Sequence, residues 1–505
     1  MFVRKKKNKS GLISIQIISK STGKYKVIKT VGSSADEEVI NRLYHQALDD
    51  IPILLGQPQL NFDQRQQQDF EDTLYKSIEH IELAGPELLL GRIFDDIGFN
   101  AIDEELFRHL VLARICYPGS KLKTVDYLHR SQRLSYDLDK VYRYLDKLYN
   151  SQKELVEEIS YRHTQSILKA EIKVVFYDVT TLYFEIEQED ELRKTGFSKD
   201  GKAQHPQIVL GLLVSEYGYP LAYEIFEGNK YEGHTLIPVL EAFKKRFSLE
   251  QIVVVADAGL LSKDNITSLG DKQYEYIIGA RLKTVSAGTK KAILALKLKN
   301  GESAQLGQED SSKLIISYSD NRAKKDAFNR SRALEKLQKA VTSGKLTKSN
   351  INNRGYNKYL KMEGDVQVTI DYEKLKADAC WDGLKGYLTN TRLTKDEVIE
   401  KYKHLWRIEK AFRISKTDLK IRPVYHRLKR RIEAHICIAF CAYKVYKELE
   451  RQLNLKKAPF SVEKAIEIIN SIYEITFTSP YTKSEKKMLL AKTPEQQNLL
   501  KLFEI

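Results

Sequence analysis

Hydrophobic and polar positions change period several times along the chain, and the changes divide it into segments. Residues 12–31 hold two short β-branched runs, LISIQIIS and YKVIKTV, separated by the turn-forming STGK, which predicts a β-hairpin. From about residue 36 to 170 the apolar positions recur at helical spacing. There, ELFRHLVLARICYPGSKLKTVDYLHR predicts one apolar helix, a Pro118-Gly119 break, and a second helix capped by Ser120 and carrying Lys121 and Lys123. Such a pair is either a helix-turn-helix docking on DNA or an ordinary helical hairpin.

From 172 the period becomes that of strands: IKVVFYDVTTLYFE, QIVLGLLVS and PLAYEIFEG follow one another as a meander. A helix, TLIPVLEAFKKRF, leads to the wholly apolar run IVVVADAGL, then to a helix beginning near Ser262 and to YEYIIGAR. A run without alternation fits a strand buried on both faces of a parallel or mixed sheet. Meander first and βαβ second predict an α/β layer. Residues 282–375 interrupt it with lysine-rich sequence holding a helix, DNRAKKDAFNRSRALEKLQKAV, and a strand, DVQVTIDYE. Helical sequence resumes at TKDEVIEKYKHLWRIEKAFRISKTDLK, stops near Pro423 and continues through HICIAFCAYKVYKELE.

The expected domains follow: a β-hairpin and helix over 1–50; a helical region over 51–170; an α/β domain in two parts, 171–281 and 376–450; an inserted β-containing subdomain over 282–375; and a helical C-terminal region over 451–505.

Charge narrows the partner. The 505 residues carry 83 Lys and Arg against 68 Asp and Glu, a surplus of 15 positive charges that attracts polyanions, nucleic acid before an anionic membrane. No stretch nears the roughly 18–20 apolar residues that span a bilayer, and MFVRKKKNKSG lacks a secretory apolar run, so a cytoplasmic protein is expected. Cys116, Cys380, Cys437 and Cys441 are too scattered for a disulfide framework or a tetrahedral zinc set and are expected to be reduced core residues.

Three acids stand out. Asp178 puts a charge on the strand face shared by Val174, Phe176 and Thr180, which is costly unless the carboxylate is paired, hydrogen-bonded or metal-bound. Asp257 closes the apolar run, at the strand end where α/β sheets hold ligands; capping the next helix is the alternative. Glu409 shares spacing of seven with Tyr402 and Lys416, which predicts one helical stripe about 21 Å long beside the apolar stripe of Leu405, Ile408, Phe412 and Leu419. Its pairing with Arg413 as a surface i, i+4 ion pair is the plain alternative. Residues 400–451 hold 15 Lys and Arg against 6 Asp and Glu, a basic setting suited to gripping phosphates.

The strings YDVTTLYFE, VVADAGL and YKHLWRIEKAFRISKTDL, in that order, resemble the three catalytic blocks of the DDE transposases of bacterial insertion sequences, in the group with a sheet-rich insertion before the catalytic glutamate. Further similarity lies in GFSKDGKAQHPQIVLGLLVSEYGYPLAYEIFEGN and in RAKKD of the insertion. The resemblance implies a ribonuclease-H-like mixed sheet flanked by helices, with Asp178, Asp257 and Glu409 holding two Mg²⁺ ions that Mn²⁺ can replace. It matches Tyr402, Glu409 and Lys416 to the last block, but Leu405 stands where that group has an arginine; Arg407 or Arg413 is expected to supply the charge.

What the resemblance implies is cleavage at the terminal inverted repeats of double-stranded DNA and strand transfer into target DNA, by a homodimer in the DNA complex. Tyr402 and Lys416 are expected to hold phosphates, joined by Lys410, Arg407, Arg413 and Arg422, with Thr180, Asn229 and His234 within reach of the cleft. A nuclease that cuts without joining, and a non-catalytic DNA-binding relative, are the rival readings.

Overall fold

The computed structural model describes residues 1–20, 23–56, 72–73, 75–169, 171–186, 188–198, 201–202, 204–260, 262–307, 312–343, 346, 350–352, 355–363, 367–479 and 482–505. It divides into two compact units, residues 1–81 with 475–488 and residues 82–474 with 489–505.

In the first unit, β1 (Phe2–Lys7), β2 (Ile13–Ser19) and β3 (Lys26–Ser34) form an antiparallel sheet backed by α1 (Glu37–Leu54). The expected hairpin thus gains a third strand from the basic start of the chain, a composition suited to a sheet edge. Ile15 and Ile17 of β2 pack on Ile40 and Ala47 of α1. The Asp36 side chain caps α1 by accepting from the Glu38 and Val39 amides at 2.9 and 3.1 Å. β4 (Ile78–Leu83) lies in the stretch expected to be helical.

The larger unit is built on an eight-stranded mixed sheet of β5 (Val174–Tyr183), β6 (Gln207–Ser215), β7 (Pro220–Glu227), β8 (Val253–Ala256), β9 (Glu275–Ala280), β10 (Ser303–Gly307), β11 (Lys313–Tyr318) and β14 (Leu384–Thr389). Its order is β10-β11-β14-β9-β8-β5-β6-β7, with β8 parallel to both β5 and β9 and the other pairs antiparallel. The expected meander and βαβ unit are both present. Residues 282–375, expected as an inserted subdomain, also supply β10 and β11 to this sheet. Among the described residues, α8 (Asp320–Thr342) and the hairpin β12 (Leu360–Glu363) with β13 (Gln367–Ile370) build a small core of their own, around Leu337, Tyr359 and Val368.

Alternation along β5 decides what each face meets. Val175, Tyr177 and Val179 enter one core with α6 (Leu236–Phe247) and α7 (Lys263–Asp271), the former through Leu240 and Phe243 and the latter through Leu269. Phe176 and Leu182 enter the other, which holds α9 (Lys395–Lys403), α10 (Trp406–Thr417) and α11 (Lys429–Leu455). Eighteen residues of α11 are buried, so it runs through that core rather than over it. Around α11 pack α2 (Glu105–Cys116), α4 (Leu138–Ser151) and α5 (Lys153–Leu168). The helices of the region expected at 51–170 therefore share the catalytic core. α3 (Lys121–Gln132) follows the break after α2, with Ser120 as its cap, as expected.

The C-terminal region is not wholly helical: β15 (Tyr473–Thr478) and β16 (Glu485–Leu490) form a three-stranded sheet with β4. IYEITFTS carries the β-branched and aromatic residues that favour a strand, and its neighbours' helical patterns hid them. Cys437 and Cys441 are buried as expected, but Cys380 is exposed, at the end of a short helix rather than in a core.

Candidate active site

Asp178 and Asp257 are neighbours across two parallel strands. The register pairs Tyr177 with Ala256; Asp178 is the next residue on β5, and Asp257 directly follows the end of β8. β8 ends there, whereas β5 runs on to Tyr183. Val253 and Val255 join Phe176 in the core that holds α10, so by the two-residue alternation of strands both aspartates face the α10 layer. Local backbone groups fix both: Oδ1 of Asp178 accepts from the Val179 amide and Oδ1 of Asp257 from the Gly259 amide, each at 2.8 Å. Thr180, on the same face two residues beyond Asp178, is buried.

Glu409 lies in the first turn of α10, which packs on β5 and β6 through Ile408, Ala411 and Phe412. It is exposed and, among the described residues, has no hydrogen bond or ion pair. The expected continuous stripe is broken. α9 ends at Lys403 and α10 starts at Trp406, joined by tight turns in which Leu405 N–H donates to Tyr402 O and Arg407 N–H to His404 O. Tyr402 is consequently buried, edge-on to Tyr387 at 4.9 Å between ring centroids, with the Lys385 ammonium 4.4 Å from its ring centre. Burial, followed by the charges of Asp257 and Glu409, raises the Tyr402 hydroxyl above the usual phenol range. Both acids therefore bear on one hydroxyl.

The sequence profile of the transposase DDE domain matches residues 169–444, more than half of the chain. The chain belongs to the DDE transposase family. It is a DNA transposase, and the reaction of its family is DNA cleavage and strand transfer, dependent on a divalent metal. A piggyBac transposase synaptic complex with hairpin DNA is 9% identical over 72% of this chain and 69% of its own length, at a TM-score of 0.37. The Mos1 transposase paired-end complex is 12% identical over 34% of this chain and 56% of its own, at a TM-score of 0.16. No curated protein matches the chain. Among the described residues, no helix is long and apolar enough to cross a membrane.

Around the acids of the transposase, the expected phosphate-binding residues separate. Arg413 is exposed and has no ion-pair partner among the described residues, and Lys416 is half-buried. Lys410 is bound to Glu450, which also holds Lys447, and Arg407 donates to the Glu216 carbonyl. Arg451 pairs with Glu448, and Arg430 and Arg431 with Asp146. The basic count over 400–451 thus overstates the cation available to DNA, because acids outside and inside the stretch already consume part of it. Leu405 is buried in the core, where an arginine would need a partner. Arg422 stands 5.6 Å from the ring centre of Tyr183, at the end of β5.

Asn229 and His234 are exposed in the turn between β7 and α6, and that turn packs on the Ala258–Leu260 turn after Asp257. Two cations not singled out from sequence come close from the β14 side: Lys385, which feels the Glu409 charge, and Arg322, which acts on Lys385 and Tyr402. Arg322 belongs to the RAKKD string; alternation in LKGYLT puts Lys385 on the Tyr387 face, though nothing in sequence pairs β14 with β9.

Among the described residues, no three His, Cys, Asp or Glu side chains converge on a point that would hold one ion. The donor chemistry still fits hard divalent cations, which take carboxylate oxygens and keep several waters. A pair of ions also spreads its protein ligands over roughly 3.5–4 Å more than one ion does.

Proposed function

We propose that Asp178, Asp257 and Glu409 are the carboxylates that hold the transposase's metal, two Mg²⁺ ions for which Mn²⁺ can substitute. The adjacency of Asp178, within β5, and Asp257, just past the end of the parallel β8, on the face covered by the Glu409 helix, carries this reading. Divalent ions there would stabilise the attacking and leaving oxygens of an in-line displacement.

The chain's own residues supply alignment. Asp257, pinned by the Gly259 amide, and Asp178, pinned by that of Val179, keep fixed orientations while a phosphodiester is drawn between them and Glu409. In the first displacement a water oxygen bonds to phosphorus and the P–O3′ bond breaks, leaving a 3′-hydroxyl at the element end. In the second, that hydroxyl oxygen bonds to a target phosphorus, and the target P–O3′ bond breaks with a proton returned to the leaving oxygen. Bond count is conserved, so no external energy source is needed. Arg413, Lys416 and Lys385 would hold flanking phosphates. Two element ends require two active sites, so a homodimer on terminal inverted repeats is part of the proposal, acting on DNA in the cytoplasm.

Asp257→Asn and Glu409→Gln test it. Cleavage of end DNA should fall at least ~100-fold in each, with duplex affinity within a few-fold of wild type. Pre-nicked ends with Mg²⁺ should yield joined products. Cleavage unchanged in either variant removes that acid from the site, and cleavage without any joining overturns the strand-transfer reading.

A further inference from the structure

Outside the acid site, the α2–α3 hairpin and the segment after α10 enclose a cavity of about 690 Å³, the size of a nucleotide pocket. Its charged lining is of one sign: Arg114, Lys121, Lys123, Lys420 and Arg422, with no carboxylate among the described lining residues. Basic character alone is ordinary. The cavity beside α8, lined by Arg322, Arg330, Lys358 and Lys385, also holds Asp326 and Asp382, so its charge is compensated.

Two of the five cations are buried. Arg114 is 3% exposed and Lys121 is 4% exposed. Among the described residues, Arg114 reaches only the Lys420 carbonyl, at 3.5 Å, and its Nε has no partner. Lys121 has no hydrogen bond or ion pair among the described residues. Burial, then the neighbouring Arg114 charge, pushes the Lys121 ammonium well below its usual range, and burial lowers Arg114 to about 10. A buried cation without a counterion is costly, and here two lie together.

Helix polarity compounds the cost. Lys121 and Lys123 occupy the first turn of the twelve-residue α3, which holds no acid there. That end carries the positive pole and unpaired amides, so it favours anions and disfavours lysine. His426 and His435 complete the wall as neutral rings: burial, then the charges of Lys121 and Arg114, hold His426 at about 3, and the same groups lower His435. Neither ring adds charge, and His435 already donates its single N–H to the Ile421 carbonyl, at 3.0 Å. The arrangement is unfavourable empty and favourable around one anionic group.

We propose that this cavity binds a phosphate group, that of a nucleic-acid strand on its way to the acids. Two features favour a strand over free phosphate. Of the lining tyrosines, Tyr425 is 66% exposed and Tyr117, stacked by one face on Tyr127, is 47% exposed, offering ring faces on which bases stack. Arg422 lines the cavity and also stands over Tyr183, five residues beyond Asp178 on β5. The inference rests on the DNA reading above, and it gives the α2–α3 pair, expected as either a helix-turn-helix or an ordinary helical hairpin, a third role. Lys121 grips a phosphate from within the hairpin instead of presenting a recognition face.

The unmodified full chain allows a test that no variant can confound. Acetylation of Lys121 by an N-hydroxysuccinimide ester, quantified by mass spectrometry against exposed Lys429, is followed with a short single-stranded oligonucleotide, with inorganic phosphate, or with neither. Protection at least ~5-fold greater by the oligonucleotide supports strand binding. Equal protection by phosphate alone assigns the pocket to free phosphate. Protection by neither overturns the proposal. As a second arm, Lys121→Met should keep or raise thermal stability, because an uncompensated charge is removed, while oligonucleotide affinity falls ~10-fold or more and the salt dependence loses about one phosphate contact. Affinity and salt slope equal to wild type would also overturn it. End-DNA cleavage, measured on the same preparation, reports separately on the acid site: normal cleavage without protection defeats this inference alone.

Discussion

The Tyr402 hydroxyl occupies the space that a side chain on Gly279 would need: a Cβ there would stand 2.4 Å from the oxygen and 3.1 Å from the Ala258 amide nitrogen. Gly279 pairs with Tyr387 in the β9–β14 ladder, and Tyr387 carries the Tyr402 ring, so the glycine admits the residue on which Asp257 and Glu409 both act. Gly279→Ala should cost about 1–3 kcal/mol by overpacking. Tyr402→Phe in the same chain should restore part of it. Chemical denaturation of the two variants measures this, and no recovery in the double variant would show that the Ala258 contact dominates.

Lys410 and Arg413 stand three residues apart on α10 but differ in partners. Glu450 already neutralises Lys410, whereas Arg413 is exposed. Arg413→Ala should weaken duplex binding and reduce the slope of log affinity against log salt by about one. Lys410→Ala should leave that slope unchanged. Equal slopes in the two variants would refute the distinction.

Lys385→Ala addresses the cation that sequence alone did not single out. A phosphate grip predicts lower affinity and a shallower salt dependence, with cleavage at saturating DNA within ~3-fold of wild type. If cleavage collapses at saturation and the salt slope stays, Lys385 instead orients Tyr402 and Glu409.

His163 supplies a pH prediction. Burial first, then the Lys444 and Arg451 charges against that of Glu448, lower its imidazole to about 3. It is neutral when folded and takes a proton below about 6.5 when unfolded, so its contribution is present above pH 6.5 and is lost as pH falls toward 3. His163→Gln should flatten the decline in denaturant midpoint between pH 6.5 and 4.5, above the range where carboxylates dominate. An identical decline would place the acid sensitivity elsewhere.

The two aspartates were legible because each breaks a pattern: Asp178 puts charge on an apolar strand face, and Asp257 ends a run with no polar residue. The surroundings of Glu409 were less so. Spacing of seven put Tyr402, Glu409 and Lys416 on one stripe, but neither glycine nor proline marks the break at His404 and Leu405. Packing makes that break, by drawing Tyr402 onto Tyr387 and Leu405 into the core. Strand pairing in the insertion was equally hidden. SAQLG and KLIISY are short, and β14, the partner of KLIISY, lies some 70 residues downstream of it.

That wiring also sets an order in time. Asp257 leaves the ribosome roughly 150 residues before Glu409, and the intervening chain completes the far side of the sheet. At translation rates of about 5–20 residues per second, the interval lasts roughly 8–30 seconds. Through it the nascent chain holds two of the proposed acids without the third. On that proposal the three acids are complete only once about four-fifths of the chain has been synthesised.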